Sequence, residues 1–294
     1  MPVEKLETQH RILHWVFKIT DLRAWIEFSK ELLHSRVYRH EEFQNGCEAT
    51  CNGPYSGDWS KTMIGPSNED HFCIELTYNY GIHEYTQGNE LRYITLKYPN
   101  AAEEARKSKY PKEERQDGSV LVTGPDASKW LFISGESENG KDEPFYSVVF
   151  SSSNIEAGTQ FYTEALGLSE FDHNGNKVFG YAAGQTKVEL VQTPEVTHDT
   201  GKGRIAFATS SVPITYARAL RHNTTIQNHP TTLPTPGKAD VVVTILKDRD
   251  DIEICQVQGF DELCKLVDGA DVIDWEFRDK KEAAVKKWAE RAQN

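Results

Sequence analysis

The feature that most constrains this chain is an internal repeat. The segment from Leu22 to Ser35 (LRAWIEFSKELLHS) aligns without a gap with Ile155 to Leu168 (IEAGTQFYTEALGL), at an offset of 133 residues (155 − 22). Both segments have apolar residues at helical spacing, and Asp21 and Asn154 precede them as candidate N-caps. A strand-like stretch precedes each helix and three follow it, so each copy predicts a βαβββ module.

Two fainter copies complete the pattern. One begins at Leu91 (LRYITL) and the other at Gly203 (GRIAFATSS). Four tandem modules predict an α+β protein with two domains, at 9–135 and 143–260. A polar linker (GESENGKDE) separates the domains, and a helical tail at 261–294 follows them.

Composition narrows the possible partners. The net charge of −12 repels phosphate backbones, so nucleic acid is not expected, and no apolar run is long enough for a membrane span. The five cysteines form an odd set without a visible secretory signal, which predicts reduced thiols in a cytoplasmic or mitochondrial protein. We therefore expect a small-molecule ligand, with protein partners as a further possibility.

Several motifs resemble one protein family. These are the spacing of His14, Asp21 and Leu22, the hairpins GPDASKW and KDRDDIEI, and the stretch IELTYNYG. On them the chain resembles the vicinal oxygen chelate superfamily, which includes glyoxalases, bleomycin resistance proteins and dioxygenases. The segments HEEF, ATCNGPY, WSKTM, TPGKADV and EIC resemble the glyoxalase domain-containing protein 4 group, over nearly the whole chain. The resemblance implies four βαβββ modules forming two vicinal oxygen chelate domains, with one face of each sheet lining a cup for ligands.

Strand alternation predicts which side chains face the cup. Successive residues of a strand point to opposite faces, so apolar alternation identifies the packed face and leaves the other for the cup. On the first and last strands of the four modules, the predicted cup positions are His14 and Glu75, Tyr93 and Phe132, Ser147 and Glu189, and Arg204 and Glu253. The superfamily places metal ligands at these positions.

The resemblance also implies how the modules combine. Glyoxalase I assembles its site from two modules of different domains or subunits, which pairs module 1 with module 4 and module 2 with module 3. The outer pair then provides the metal ligands His14, Glu75 and Glu253, for one divalent ion such as Zn or Ni. The inner positions Tyr93, Phe132, Ser147 and Glu189 contain a single plausible ligand and are degenerate.

The implied chemistry is that of a lactoylglutathione lyase. Glyoxalase I isomerises the hemithioacetal of methylglyoxal and glutathione, and by position Glu253 matches its base and Glu75 the partner carboxylate. Arg204 departs from the family, because a guanidinium has no acceptor and cannot bind a cation. The alternative is a catalytically degenerate protein, with a cup closed by an Arg–carboxylate network, that binds a ligand or a protein.

Candidate substrate contacts come from the same strands. Arg204, Lys18 and Trp59 are predicted to contact the substrate. Lys18, Arg36, Arg39 and Lys61 are candidate basic residues for recognising glutathione, although the sequence does not place them at the mouth of the cup.

Overall fold

The four predicted modules are all present. The computed structural model describes residues 10–66, 69–139, 143–173, 176–235, 239–263 and 273–293. Module 1 comprises β1 (Ile12–Ile19), α1 (Leu22–Leu32), β2 (Arg36–Phe43), β3 (Trp59–Gly65) and β4 (Cys73–Asn79). Module 2 comprises β5 (Leu91–Tyr98), α2 (Ala101–Lys107), β6 (Lys112–Glu114), β7 (Val120–Thr123) and β8 (Lys129–Ser134).

Modules 3 and 4 repeat this order. Module 3 comprises β9 (Phe145–Ser152), α3 (Ile155–Gln160) continued by a π-helical turn (Phe161–Ala165), β10 (Ser169–His173), β11 (Asn176–Gly180) and β12 (Lys187–Gln192). Module 4 comprises β13 (Arg204–Ala208), α4 (Val212–Arg221), β14 (Thr225–Leu233), β15 (Val241–Lys247) and β16 (Glu253–Gln258). The helices α5 (Phe260–Leu263) and α6 (Trp275–Ala292) follow. Asp21 and Asn154 cap α1 and α3, each accepting a bond from the backbone N–H three residues on.

The strands form two eight-stranded mixed sheets. Sheet A has the order β14-β15-β16-β13-β1-β4-β3-β2 and joins modules 4 and 1, whereas sheet B has the order β10-β11-β12-β9-β5-β8-β7-β6 and joins modules 3 and 2. This is the predicted pairing of modules across the chain. The domain boundaries at 9–135 and 143–260 stay a prediction, since each sheet takes strands from both halves.

Aromatic side chains from both sheets meet in one core. Trp15 and Phe17 alternate along β1 away from the cup. Trp15 lies 5.3 Å from Phe150 of sheet B, and Phe17 lies 5.7 Å from Trp130 of sheet B, measured between ring centroids. Since these large side chains are excluded from water on both sides, the packed faces of the two sheets are fixed against each other.

Two aspartates clasp the sheets together. In the hairpin before β8, Asp126 accepts bonds from the backbone N–H of Thr20 (3.1 Å), the Thr20 hydroxyl (2.5 Å) and the Trp25 indole (2.7 Å). In the hairpin before β16, Asp250 accepts bonds from the Ser152 hydroxyl (2.8 Å) and from the backbone and hydroxyl of Ser153. Ser153 is the repeat equivalent of Thr20, at the same offset of 133 (153 − 20). Each clasp therefore ties the last hairpin of one sheet to the start of the helix on the other.

The C-terminal helix α6 packs beside α1, on the same face of sheet A as the core. Its Arg278 is fully buried, with the guanidinium carbon 4.5 Å from the ring centroid of Tyr78 and 5.2 Å from that of Tyr80. The guanidinium also donates to the Ser60 hydroxyl at 2.7 Å. In the part of the tail that the structure describes, no helix is long and apolar enough to cross a membrane, and the same holds for the other described helices.

The clasps provide a first test. Replacing Asp126 with Ala removes three hydrogen bonds to a carboxylate, so we expect the free energy of unfolding to fall by about 2–3 kcal/mol. Denaturant unfolding measures the change, with Asp240→Ala as the control, because Asp240 is exposed. If the two variants unfold alike, Asp126 does not clasp the sheets.

A buried carboxyl at the end of the linker provides a second test. Glu143 accepts a bond from the backbone N–H of Phe72 at 2.7 Å, and burial raises its pKa to about 8. Unfolding returns the pKa toward 4.5, so the folded state holds the proton longer and loses stability as the pH rises from about 4.5 to 8. Glu143→Gln keeps an acceptor without titrating.

We therefore expect Glu143→Gln to match the parent chain near pH 5 and to exceed it by about 1–3 kcal/mol at pH 8. Thermal unfolding of both chains across this pH range measures the difference. A difference that stays constant with pH would contradict a protonated Glu143 in the folded state.

Candidate ligand-binding cup

The outer pair of modules, 1 and 4, builds a cavity over sheet A. We call it cup A: it lies on the face of sheet A opposite the core and has a volume of about 450 Å³. Its charged and polar lining comes from His14, Arg39, Lys61, Glu75 and Arg204, with Asn45, Glu48, Thr232 and Thr235. Its apolar lining includes Val16, Phe43, Trp59, Leu233, Val241, Val243, Val257 and Phe260. The alternation rule placed His14, Glu75 and Arg204 here correctly, because their strand neighbours Trp15, Ile74 and Ile205 pack in the core.

His14 and Glu75 form the centre of cup A. The Nε2 atom of His14 lies 3.3 Å from a carboxylate oxygen of Glu75, and both side chains are buried. Burial and, to a smaller extent, the nearby cations Arg39, Lys61 and Arg204 together lower the pKa of His14 to about 3. The imidazole is therefore neutral at physiological pH.

The two nitrogens of this neutral ring have different surroundings. Nε2 faces Glu75. The other ring nitrogen, Nδ1, is buried and has no hydrogen-bond partner among the described residues. Burial raises the pKa of Glu75, against the effect of Lys61 and Arg39, so this carboxyl holds a proton more readily than an exposed glutamate.

Arg204 separates Glu253 from this centre. The guanidinium donates to one oxygen of Glu253 from Nε (3.0 Å) and Nη2 (2.6 Å), and the ammonium of Lys202 lies 2.7 Å from the other oxygen. Burial tends to raise the pKa of Glu253, but Arg204 and Lys202 outweigh it and lower the pKa to about 2. Glu253 lines a neighbouring cavity with Lys18 rather than cup A.

The three predicted metal ligands are therefore not gathered at one point. Among the residues that the structure describes, no three His, Cys, Asp or Glu side chains form a group able to hold a metal ion. The fourth of the outer cup positions is Arg204, whose guanidinium charge repels a cation. The donor set of cup A does not fit the divalent ion that the family resemblance implies.

A second ion-pair network, which sequence reasoning missed, forms the far wall of cup A. The Nε of Arg39 donates to both carboxylate oxygens of Glu69, at 3.0 and 3.1 Å, and its Nη1 donates to Glu41 at 2.6 Å. Lys61 lies 3.1 Å from the same Glu41. Arg39 and Lys61 were candidate basic residues and do line the cup. Arg36 is exposed at the start of β2 and does not, and nothing in the sequence pointed to Glu69.

Trp59 and the loop before it cover the cup. The Trp59 ring stacks on Phe43 with centroids 4.2 Å apart. We call residues 44–58 the strap. Arg204 holds it by donating to the backbone oxygens of Ala49 (2.8 Å) and Thr50 (3.3 Å). Arg204 therefore binds the strap as well as Glu253, a role that the sequence did not predict.

The prediction of free thiols is wrong for two of the five cysteines. Cys47 and Cys51 of the strap form a disulfide. Cys73 and Cys255 are free and buried, and Cys264 lies outside the described residues. The spacing of Cys47 and Cys51 was the only sequence signal for the disulfide.

One inner position was assigned to the wrong face. Phe132 is completely buried in the core, beside Leu96 in register, so Leu131 takes the cup side of β8. Alternation failed here because Trp130, Leu131, Phe132 and Ile133 are all apolar.

The other inner positions carry few charges. Glu189 accepts bonds from Asn176 (2.6 Å) and Ser147 (3.3 Å), and the Tyr93 ring lies under Arg115, 4.9 Å from its guanidinium carbon. The Glu189 carboxylate is therefore already bound by neutral donors of its own sheet, which leaves cup A as the candidate site.

Comparisons with known proteins place the chain in a family. A family profile described as "Glyoxalase domain-containing protein 4-like, C-terminal domain" matches residues 154–263. The protein named Glyoxalase 1 from Caenorhabditis elegans is 40% identical over 271 residues, which cover 89% of this chain and 93% of that protein. Glyoxalase domain-containing protein 4 from Mus musculus is 37% identical over 265 residues, covering 87% of this chain and 88% of that protein.

The fold has a counterpart among solved structures. Glyoxalase I from Zea mays superposes with a TM-score of 0.68 at 20% identity, over 86% of this chain and 94% of that one. The paired eight-stranded sheets of this chain match that arrangement. By sequence and by fold, the chain belongs to the glyoxalase group of the vicinal oxygen chelate superfamily that includes glyoxalase domain-containing protein 4.

Proposed function

We propose that cup A binds a small organic anion with an apolar portion, directly and without a metal ion. The observation that carries the proposal is the set of three cations, Arg39, Lys61 and Arg204, that lines the cup around the neutral His14. A ligand carboxylate pairs with such cations through charge-assisted hydrogen bonds. The protein then acts as a ligand-binding member of its family.

The walls of cup A suggest how such a ligand is held. Lys61 is the most accessible of the three cations, with 18% of its side chain exposed against 6% for Arg39 and 8% for Arg204, so it is the natural partner of a ligand carboxylate. The stacked rings of Phe43 and Trp59 offer an apolar surface beside it.

A second candidate function is lactoylglutathione lyase activity of glyoxalase I type. Two observations favour it: relatives of similar length are named Glyoxalase 1, and His14 and Glu75 meet at the predicted site positions. The substrate would be the hemithioacetal of methylglyoxal and glutathione, which also carries carboxylates. This function requires Glu253 to leave both Arg204 and Lys202 and turn into cup A.

An activity assay separates the two functions. The purified chain is mixed with methylglyoxal and glutathione, with and without added Zn or Ni, and formation of lactoylglutathione is followed. Turnover that is lost in Glu75→Gln supports the lyase. Binding of an anion without turnover supports the ligand-binding protein.

The binding proposal makes its own prediction. S-hexylglutathione and hexanoate both join a carboxylate to an apolar chain, and we expect at least one of them to bind equally well with and without a chelator. In Lys61→Met the affinity should fall about tenfold, because one charge-assisted contact of about 1.4 kcal/mol is lost. Titration calorimetry measures both effects.

The matched control for this titration is Lys30→Met. Lys30 is exposed on α1 and does not line cup A. The Lys30→Met variant should bind the same ligand with the affinity of the parent chain. Binding that appears only after a metal ion is added, or that is unchanged in Lys61→Met, would contradict the proposal.

A further inference from the structure

A smaller cavity lies beside cup A, beneath the strap. It has a volume of about 240 Å³ and is lined by Lys18, Lys202, Arg204 and Glu253 together with Thr50 and Gly53 of the strap. We call it the side cavity. Its charged groups come from three strands and the turn before β13, so the pairing of modules 1 and 4 creates it.

Lys18 is the buried amine of the side cavity. It lies on the cup side of β1, is 6% exposed, and donates from Nζ to the backbone oxygen of Lys202. The strap closes over it tightly: a Cβ atom at Gly53 would lie 2.8 Å from the Cε of Lys18, and Gly53 has a φ of +86°. The positive φ favours glycine at this point, and the strap backbone packs closely against the Lys18 side chain.

No described carboxylate neutralises this ammonium through a hydrogen bond. The nearest carboxylate in the side cavity is that of Glu253, whose oxygens are bonded to Arg204 (2.6 Å) and Lys202 (2.7 Å). The backbone oxygen that Lys18 uses accepts equally well from a neutral amine. The surroundings thus do not require Lys18 to be charged.

The surroundings of Lys18 lower its pKa from the usual value of a lysine. Burial is the main cause; Glu253 and Glu90 oppose it, Arg204 and Lys202 add to it, and the net pKa is about 8. A substantial fraction of the amine is therefore unprotonated near pH 8. A desolvated lysine next to other cations is the environment that makes an amine nucleophilic.

We infer that Lys18 is a carbonyl-reactive amine, which forms an imine with a small α-oxo acid in the side cavity. The Nζ lone pair forms a bond to the carbonyl carbon, both amine hydrogens pass to the carbonyl oxygen, and that oxygen leaves as water. The remaining C=N bond needs no oxidant or reductant. A carboxylate on the ligand is favoured because Lys202 and Arg204 outnumber Glu253 among the other charged groups of the lining. This site is distinct from cup A and goes beyond the function proposed for it.

Reductive trapping tests the inference on the full chain. The protein is incubated with glyoxylate and sodium cyanoborohydride, which reduces an imine to a stable amine, and the label is located by peptide mass mapping. We expect one label per chain, on Lys18, with a rate that rises as the pH passes about 8. Propanal, which lacks a carboxylate, should label Lys18 about tenfold more slowly.

Lys187 is the matched internal control. It is equally buried, at 5% exposed, and its pKa is likewise lowered to about 8 by burial. Its ammonium is instead bound by three oxygens, those of Asn139 (3.1 Å), Ala183 (2.6 Å) and Gln185 (2.7 Å). We expect Lys18 to be labelled at least about tenfold faster than Lys187. Such a difference would come from the surroundings of Lys18 in the side cavity, because the two lysines are equally buried.

The remaining outcomes decide against the inference. Equal labelling of Lys18 and Lys187, or label spread over exposed lysines with Lys18 unmodified, overturns it. Equal rates with propanal and glyoxylate overturn the preference for an α-oxo acid. Lys18→Met should remove the specific label, but mapping of the parent chain gives the answer even if that variant does not fold.

Discussion

The antiparallel pairing of β1 with β13 is the contact on which the site depends. It joins the first module to the last and places Val16 opposite Arg204, while the pairing of β1 with β4 places Val16 beside Glu75. The pairing of β13 with β16 matches Ile205 with Ile254, so Arg204 and Glu253 are also neighbours. Glu253, Arg204, Val16 and Glu75 therefore form one row across the face of sheet A.

This row explains the electrostatics of cup A. Glu253 and Glu75 are separated by three strand spacings of about 4.8 Å each, and Arg204 lies directly beside Glu253. An arginine on the adjacent strand forms two bonds to the Glu253 carboxylate and competes with any cation for it. The same side chain holds the strap. Arg204 thus binds a carboxylate that the metal site would need, and it lines both cup A and the side cavity.

Much of this architecture could be predicted from the sequence. The repeat predicted four modules, and the resemblance implied that module 1 pairs with module 4. Alternation placed His14, Glu75, Arg204 and Glu253 on the cup side of sheet A, because their strand neighbours are clearly apolar. It failed for Phe132, because four apolar residues in a row leave the face of β8 undetermined.

What the sequence could not predict depends on contacts between distant segments. The bonds from Arg39 to Glu69 join residues 30 positions apart, and the bond from Arg204 to Ala49 spans 155 positions. The strap, the disulfide and the side cavity around Lys18 follow from such contacts. These long-range contacts determine which charged side chains pair with each other. They therefore affect the chemistry of the site more than the residue types on each strand do.

The metal content of the purified chain tests the central claim most directly. The protein is equilibrated with Zn, Ni and Mn in turn, freed of excess ion, and measured by elemental analysis. Because the Glu253 carboxylate is already bound by Arg204, we predict that the chain retains well under about 0.1 equivalent of any of these ions. About one tightly held ion per chain, lost in Glu253→Gln, would contradict it and would show that Glu253 leaves Arg204 to complete a metal site with His14 and Glu75.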